Sequence, residues 1–230
     1  MNKKLDQIRL IFLGLFMVGN FGLIVLFILS KWPKYWEHIN YEYSHLTWLS
    51  SVNLIFIGVF CLLAFILTEL RQPNGHTIGR YIIGLLGSGF LFLSLDEKFQ
   101  IHEKLREKVF IPNEIGTEVP GIGAGDFLHI LIAIIGLGIS YFIFKTIKYS
   151  KLSIYLFSTA LFLAFISVIV DATSPVVRDD STLSPAELMT SINHQFTEEL
   201  LESSAIIFFG LTFINHFFIE LKSSLGWEEK

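Results

Sequence analysis

The sequence predicts an all-α, polytopic transmembrane bundle of about six spans, and three observations carry that prediction. Hydrophobic residues make up 52% of the 230, with 23 phenylalanines among them. They come in long runs, giving a mean hydropathy of +0.58. Crossing about 30 Å of hydrocarbon takes about 20 apolar residues, and the runs at about 9–30, 49–70, 81–103, 127–145, 152–171 and 198–221 meet that length. Ionisable residues collect at the ends of these runs. Little chain is left over, so residues 1–230 read as a single integral membrane domain.

The elements follow in order. The apolar stretch Leu10 to Ser30 exceeds the roughly 7–15 residues of a signal-peptide core and runs into Lys31-Trp32-Pro33, so it reads as a span and not a cleaved leader. Between spans one and two, Trp32, Tyr35, Trp36, Tyr41, Tyr43 and Trp48 form an aromatic belt suited to the headgroup layer. The single cysteine, Cys61, lies inside span two, which excludes an internal disulfide and a cysteine metal site. Between spans three and four, Ile111 to Gly125 is rich in Pro and Gly and reads as a folded-over loop. Between spans five and six, Ser174 to Pro185 is polar. There Ser184 is placed to cap a helix with Pro185 at its first position, so the last helix is expected to begin well outside the membrane.

Positive charge sets the orientation. With a cytoplasmic N-terminus, ten of the 17 basic residues fall on the inner face, among them the short, purely basic loop Lys145–Lys151. An even number of spans returns the C-terminus to the same side. The net charge of −4 is mild and says little about partners, while the lack of a basic run or of aromatic-basic interleaving argues against nucleic acid. The expected location is a bacterial cytoplasmic (inner) membrane, with membrane lipid as the partner; a homo-oligomer is compatible with this reading.

Counted from the basic ends at about 1.5 Å per residue, the acids fall into one layer. Asp96 stands about 24 Å from Arg80, His129 about 24 Å from Lys145, Asp171 about 30 Å from Lys151, and Glu202 about 30 Å from Lys222. Asp96 and Glu103 are seven apart on span three and share a face with Gln100. Asp126-x-x-His129 pairs a carboxylate with an imidazole on span four. On the last helix His194, Glu198 and Glu202 form a stripe with Glu199 beside it. Ionisable groups near hydrocarbon are costly and mark a functional site by default.

Carboxylates crowded together need a cation or shared protons. Mixed carboxylate and imidazole donors suit Zn, Mn or Fe, and carboxylates alone suit Ca or Mg. The expected cofactor is therefore a divalent metal ion, with Zn, Mn, Fe and Ca not distinguished. Its ligands would be Asp96, His102, Glu103, Glu199 and Glu202, with His129 or Glu198 as acid or base. Plainer roles stand beside these: Asp126 as a helix cap, Glu198 and Glu199 answering a helix dipole, and span-three acids paired with Lys98, Lys104, Arg106 and Lys108. His38, His45, His76 and His216 read as loop or packing residues. Gly84, Gly87 and Gly89, with Gly136 and Gly138, are expected to bring spans three and four together.

Two resemblances add to this. Ser94-Leu95-Asp96-Glu97-x4-His102-Glu103 with Glu198-Glu199-x2-Glu202 resembles a group of uncharacterised small bacterial polytopic membrane proteins, over about the last two thirds of the chain. It implies that the two motifs belong together and names no activity. The chain is also similar to the seven-span membrane hydrolases that include alkaline ceramidases, which hold zinc with histidines. It has no His-x3-His element and one span fewer, so no residue carries over. The expected function is a metal-dependent hydrolase or transferase acting on lipid or a lipid-linked substrate. The alternatives are a small transporter or channel binding cations or protons, and a non-catalytic membrane protein with a structural ion or partner site. The inner halves of spans three to six read as nearly pure Leu, Ile, Phe and Gly, which argues against a through-pathway.

Overall fold

Five of the six predicted spans each fall within one helix, and the third is divided between two. In the computed structural model, residues 2–39, 44–71, 78–110, 112–113, 126–148, 150–172 and 184–226 are described, with side chains for all of these except 2, 102, 103, 106, 107, 126–133, 171 and 172. In chain order the helices are α1 (Asn2–Ser30), α2 (His45–Arg71), α3 (Ile78–Phe99), α4 (Ile101–Leu105), α5 (Asp126–Ile147), α6 (Lys151–Ala172) and α7 (Pro185–Ser224). A π-helical turn, Arg106–Phe110, follows α4. Among the described residues five helices are long and apolar enough to cross a membrane: α1, α2, α3, α6 and α7. In α5 the corresponding apolar stretch is Ile134–Ile147. The result is a helical bundle of a multi-pass membrane protein.

The helices alternate in direction, and polar ties mark both ends. At one end Asp6 pairs with Lys222 at 3.1 Å, Arg71 with Glu220 at 3.3 Å and Arg80 with Glu69 at 2.9 Å. These join the start of α1, the end of α2, the start of α3 and the end of α7; below, "outward" means away from this end. Between the ends, α7 is the axis. It packs against α2, α6 and α1, while α3 lies on α2 and α5 lies between α3 and α6. One core joins Ile57 and Cys61 of α2, Ile83 of α3, Ile143 of α5, Phe157 of α6 and Phe213 of α7. A second packs α1 on α7 through Leu13, Ile24, Ile207, Leu211 and Ile214.

Buried polar side chains tie the helices where hydrocarbon offers them no other partner. Asn53 donates to Asn20 at 2.7 Å, and Asn215, fully buried, donates to Ser153 at 2.8 Å and to Ser150 at 3.1 Å. The inner half of α7 is therefore less purely apolar than its sequence reading, because Thr212, Asn215 and His216 are all buried there.

The start of α7 follows the local signal. Ser184 caps it, its backbone N–H and hydroxyl both donating to Glu187, whose own N–H donates back to the Ser184 oxygen at 3.4 Å. The resulting 40-residue helix is about 60 Å long, about twice the hydrocarbon thickness.

Three expectations are corrected. Span three is not one helix through residue 103. It ends at Phe99, Gln100 takes a left-handed φ of 52°, and Lys104 Nζ caps the Phe99 carbonyl at 2.7 Å. His102 and Glu103 therefore ride on α4, and the seven-residue register between Asp96 and Glu103 is lost. Gly84 and Gly87 of α3 meet α2, not α5: a β-carbon at Gly87 would stand 2.8 Å from Leu62 and 3.0 Å from the Gly58 carbonyl, whereas Gly89, Gly136 and Gly138 face open space. The aromatic segment is only partly a lipid belt. Trp32 and Trp48 are exposed, but Tyr35 turns inward, packing on Phe196 at 4.9 Å and donating its hydroxyl to Asn193. Tyr41 and Tyr43 lie outside the described residues.

Candidate functional site

Helix register, set by serine contacts, brings the acids of α3 and α7 to one level. Ser50 and Ser51, neighbours on α2, reach in different directions. Ser51 bonds to Ser94 of α3, hydroxyl to hydroxyl and to the Ser94 carbonyl, both at 3.0 Å. Ser50 meets Ser203 of α7 at 2.9 Å. Asp96 and Glu97 begin two residues beyond Ser94, and Glu202 and Glu199 lie one and four residues outward of Ser203. Both groups therefore occupy a slab about 6 Å deep just outward of the serines. On α6, Ser167 donates to the Glu198 carbonyl at 3.4 Å, which fixes a third helix to the same level. Asp171 follows one turn further along α6, and its side chain lies outside the described residues.

Within that slab the helices turn different acids toward the bundle centre. Phe90 of α3 meets Phe209 of α7 at 6.2 Å and Phe213 at 5.6 Å. Phe157 of α6 meets Phe209 at 5.7 Å and Phe144 of α5 at 4.9 Å. Together these rings meet at the centre of the bundle. Glu97 lies seven residues outward of Phe90, on the same helical face, and Glu202 lies seven outward of Phe209. Glu198 shares the Glu202 face. Glu199, four residues before Ser203, turns toward α2. Asp96 is rotated about 100° from Glu97, away from the ring-bearing face. Glu97, Asp96, Glu198 and Glu199 are half-buried and Glu202 is exposed; each has a polar or electrostatic partner.

His102 and Glu103 are on α4, directly after α3, and Asp126 and His129 lie in the first turn of α5; their side chains lie outside the described residues. Among the described residues no group of three His, Cys, Asp or Glu side chains is arranged to hold a metal ion. A complete ligand set at this level would draw on His102, Glu103 or His129. The donor chemistry of that set, carboxylate with imidazole, suits a first-row divalent ion.

Two residues outside the expected ligand set stand out. Glu97, and not the expected ligand Asp96, lies on the α3 face that carries Phe90. The sequence signal for it was its seven-residue spacing from Phe90. His194, one turn outward of Glu198, has a buried Nδ1 without a hydrogen-bond partner among the described residues. The stripe His194-x3-Glu198-x3-Glu202 already pointed to it. The remaining histidines behave as packing or loop groups. The His38 ring lies tilted against His45 with centroids 4.1 Å apart, His216 is buried, and His76 lies outside the described residues.

Comparison with known proteins adds a family. No curated protein and no solved structure matches the chain. A family match covers residues 10–216, nearly the whole bundle including both acid motifs, and the chain belongs to that family, described as Domain of unknown function (DUF8692).

Proposed function

We propose that this protein is a metal-dependent enzyme of a bacterial cytoplasmic membrane, a hydrolase or transferase that works on a lipid or lipid-linked substrate at the outer face. The observation that carries the reading is the placement of Glu97, Glu198 and Glu202 on helix faces that converge outward of an aromatic floor. Carboxylates are expensive at this depth, and three helices are pinned so that theirs share one level.

The ion would be held by Glu202 and Glu199 of α7, by Asp96 or Glu97 of α3, and by His102 and Glu103 of α4. When bound it polarises a carbonyl or phosphoryl oxygen and lowers the pKa of water. Glu198 or His129 takes a proton from the attacking group and returns it to the leaving group, as a carboxylate or imidazole within hydrogen-bond reach can do. Phe90, Phe157, Phe209 and Phe213 keep water from passing inward of the acids. That aromatic floor separates Glu202 from the buried His216 on the same α7 face, and the interruption weighs against the transporter reading.

The test is metal analysis of purified, chelator-free protein. The wild type should carry about one divalent ion per chain, and Glu202→Ala and Glu97→Ala should lose most of it. A wild-type protein without bound metal would overturn the proposal.

A further inference from the structure

On three helices a face that is buried in the inner half of the bundle, and on a fourth one that is half-buried there, becomes exposed further outward. On α6, Phe157 is 1% exposed, while Val168, eleven residues outward on the same face, is 37% exposed. On α7, Phe213 is 1% exposed and Glu202, again eleven residues outward, is exposed. Eleven residues is three turns, so both members of each pair point the same way. On α5, Ile143 is buried, yet Gly136, seven residues outward on its face, is exposed with nothing near it. On α3, Leu86 packs on the core and Leu93, seven residues outward, is exposed.

The cause lies in how the helices are tied. α3 is held to α2 by Ser51 and Ser94, and α6 to α7 by Ser167 and Glu198. In its inner half α5 has Phe144 against Phe157, and Gly79 of α3 lies close to Thr146. Further outward, Ile134, Ile135, Gly136, Leu137 and Gly138 are exposed on every face. α5 therefore leaves the bundle where the acids begin, and a cleft opens between α3 and α6.

We infer that this cleft is a lateral entrance from the bilayer, and that the acyl chain of a membrane lipid enters it between α5 and α6 to present its head to the acids of α3 and α7. The inference deepens the proposed function and rests on that reading for the role of the acids. The occupant follows from depth and polarity. The walls, Leu93, Leu137 and Val168, are apolar and at hydrocarbon level, the end nearer the headgroups is carboxylate, and the aromatic floor lies on the inner side. An acyl chain fits such a slot, because water there would find no polar partners. The small residue at Gly136, on the face of Ile143, leaves the slot's width to the chain.

Photo-crosslinking tests this. The full-length protein is reconstituted in vesicles of phosphatidylcholine and phosphatidylglycerol containing a phosphatidylcholine with a diazirine on one acyl chain, and adducts are mapped by mass spectrometry. Adducts are expected on Val168 as well as on Phe162, which lies on another face of α6 and is 63% exposed. Gly136→Trp should fill the slot and lower Val168 labelling several-fold while leaving Phe162 unchanged. Val168→Trp, read at Leu137 on the α6-facing side of α5, fills it from the opposite wall should the first variant fail to fold. Labelling of Phe162 without Val168, or Val168 labelling that the tryptophan leaves unchanged, overturns the inference. A labelled and blockable cleft in a protein that binds no metal would sink the enzyme reading and leave the entrance standing. Bound metal with an unlabelled Val168 would do the reverse.

Discussion

The rings of Phe90 and Phe209 meet with centroids 6.2 Å apart, and seven residues outward from each stands a glutamate, Glu97 on α3 and Glu202 on α7. The ring contact fixes the rotation of both helices. It makes Glu97, not Asp96, the α3 acid aimed at α7. Under the proposed function Glu97→Ala should therefore reduce metal content more than Asp96→Ala does. Equal losses in the two variants would mean that helix rotation does not select between them.

The α2–α3 contact should be intolerant of volume at one pair of glycines. A side chain at Gly87 meets Leu62 and the Gly58 backbone at once, so Gly87→Val should cost about 1–3 kcal/mol. Gly138→Ala meets nothing and replaces a poor helix former, so it should be neutral or stabilising by up to about 1 kcal/mol. Thermal midpoints of the purified variants in detergent separate the two.

Removing the Ser184 cap should fray α7 locally without disturbing the core. Ser184→Ala deletes the acceptor for the Glu187 N–H and a hydroxyl bonded to its carboxylate, at about 1 kcal/mol. Faster hydrogen exchange over residues 185–192, with no change near Phe213, is the expected pattern. Loss of protection throughout α7 would show that its outer turns are needed by the whole bundle.

The segment 31–39 should loosen in acid, in two steps. Burial, with His45 and Lys31 nearby, holds the His38 pKa below its ordinary 6.5. The folded state thus favours the neutral ring, so the stability it contributes is full above 6.5 and falls as pH drops below that value. Hydrogen bonds from Lys31 and Lys34 hold the Glu37 pKa below its ordinary 4.5. Its contribution is present above 4.5 and disappears at lower pH still. Fluorescence of Trp32 and Trp36 should report an upper step that His38→Gln abolishes; a His38→Gln protein that keeps this step would refute the assignment.

What was legible in the sequence was local. Ser184 and Pro185 announced the start of α7 because a cap and a first-turn proline act through their own backbone. The helical bundle followed from length and polarity alone, since hydrocarbon admits only helices with their backbone satisfied. The break at Gln100 was not legible. Glutamine carries no preference for a left-handed φ, and the chain turns there within a buried setting.

The sequence by itself determined that acids from several spans share one depth, because rise per residue is fixed by helix geometry. Only the tertiary structure decided which of them face one another. Helix rotation and partner choice depend on side chains from other helices: Ser51 against Ser94, Leu62 against Gly87, Phe90 against Phe209. The same is true of the cleft, which exists because α3 and α6 are each tied to a neighbour outward of the floor while α5 stands apart there.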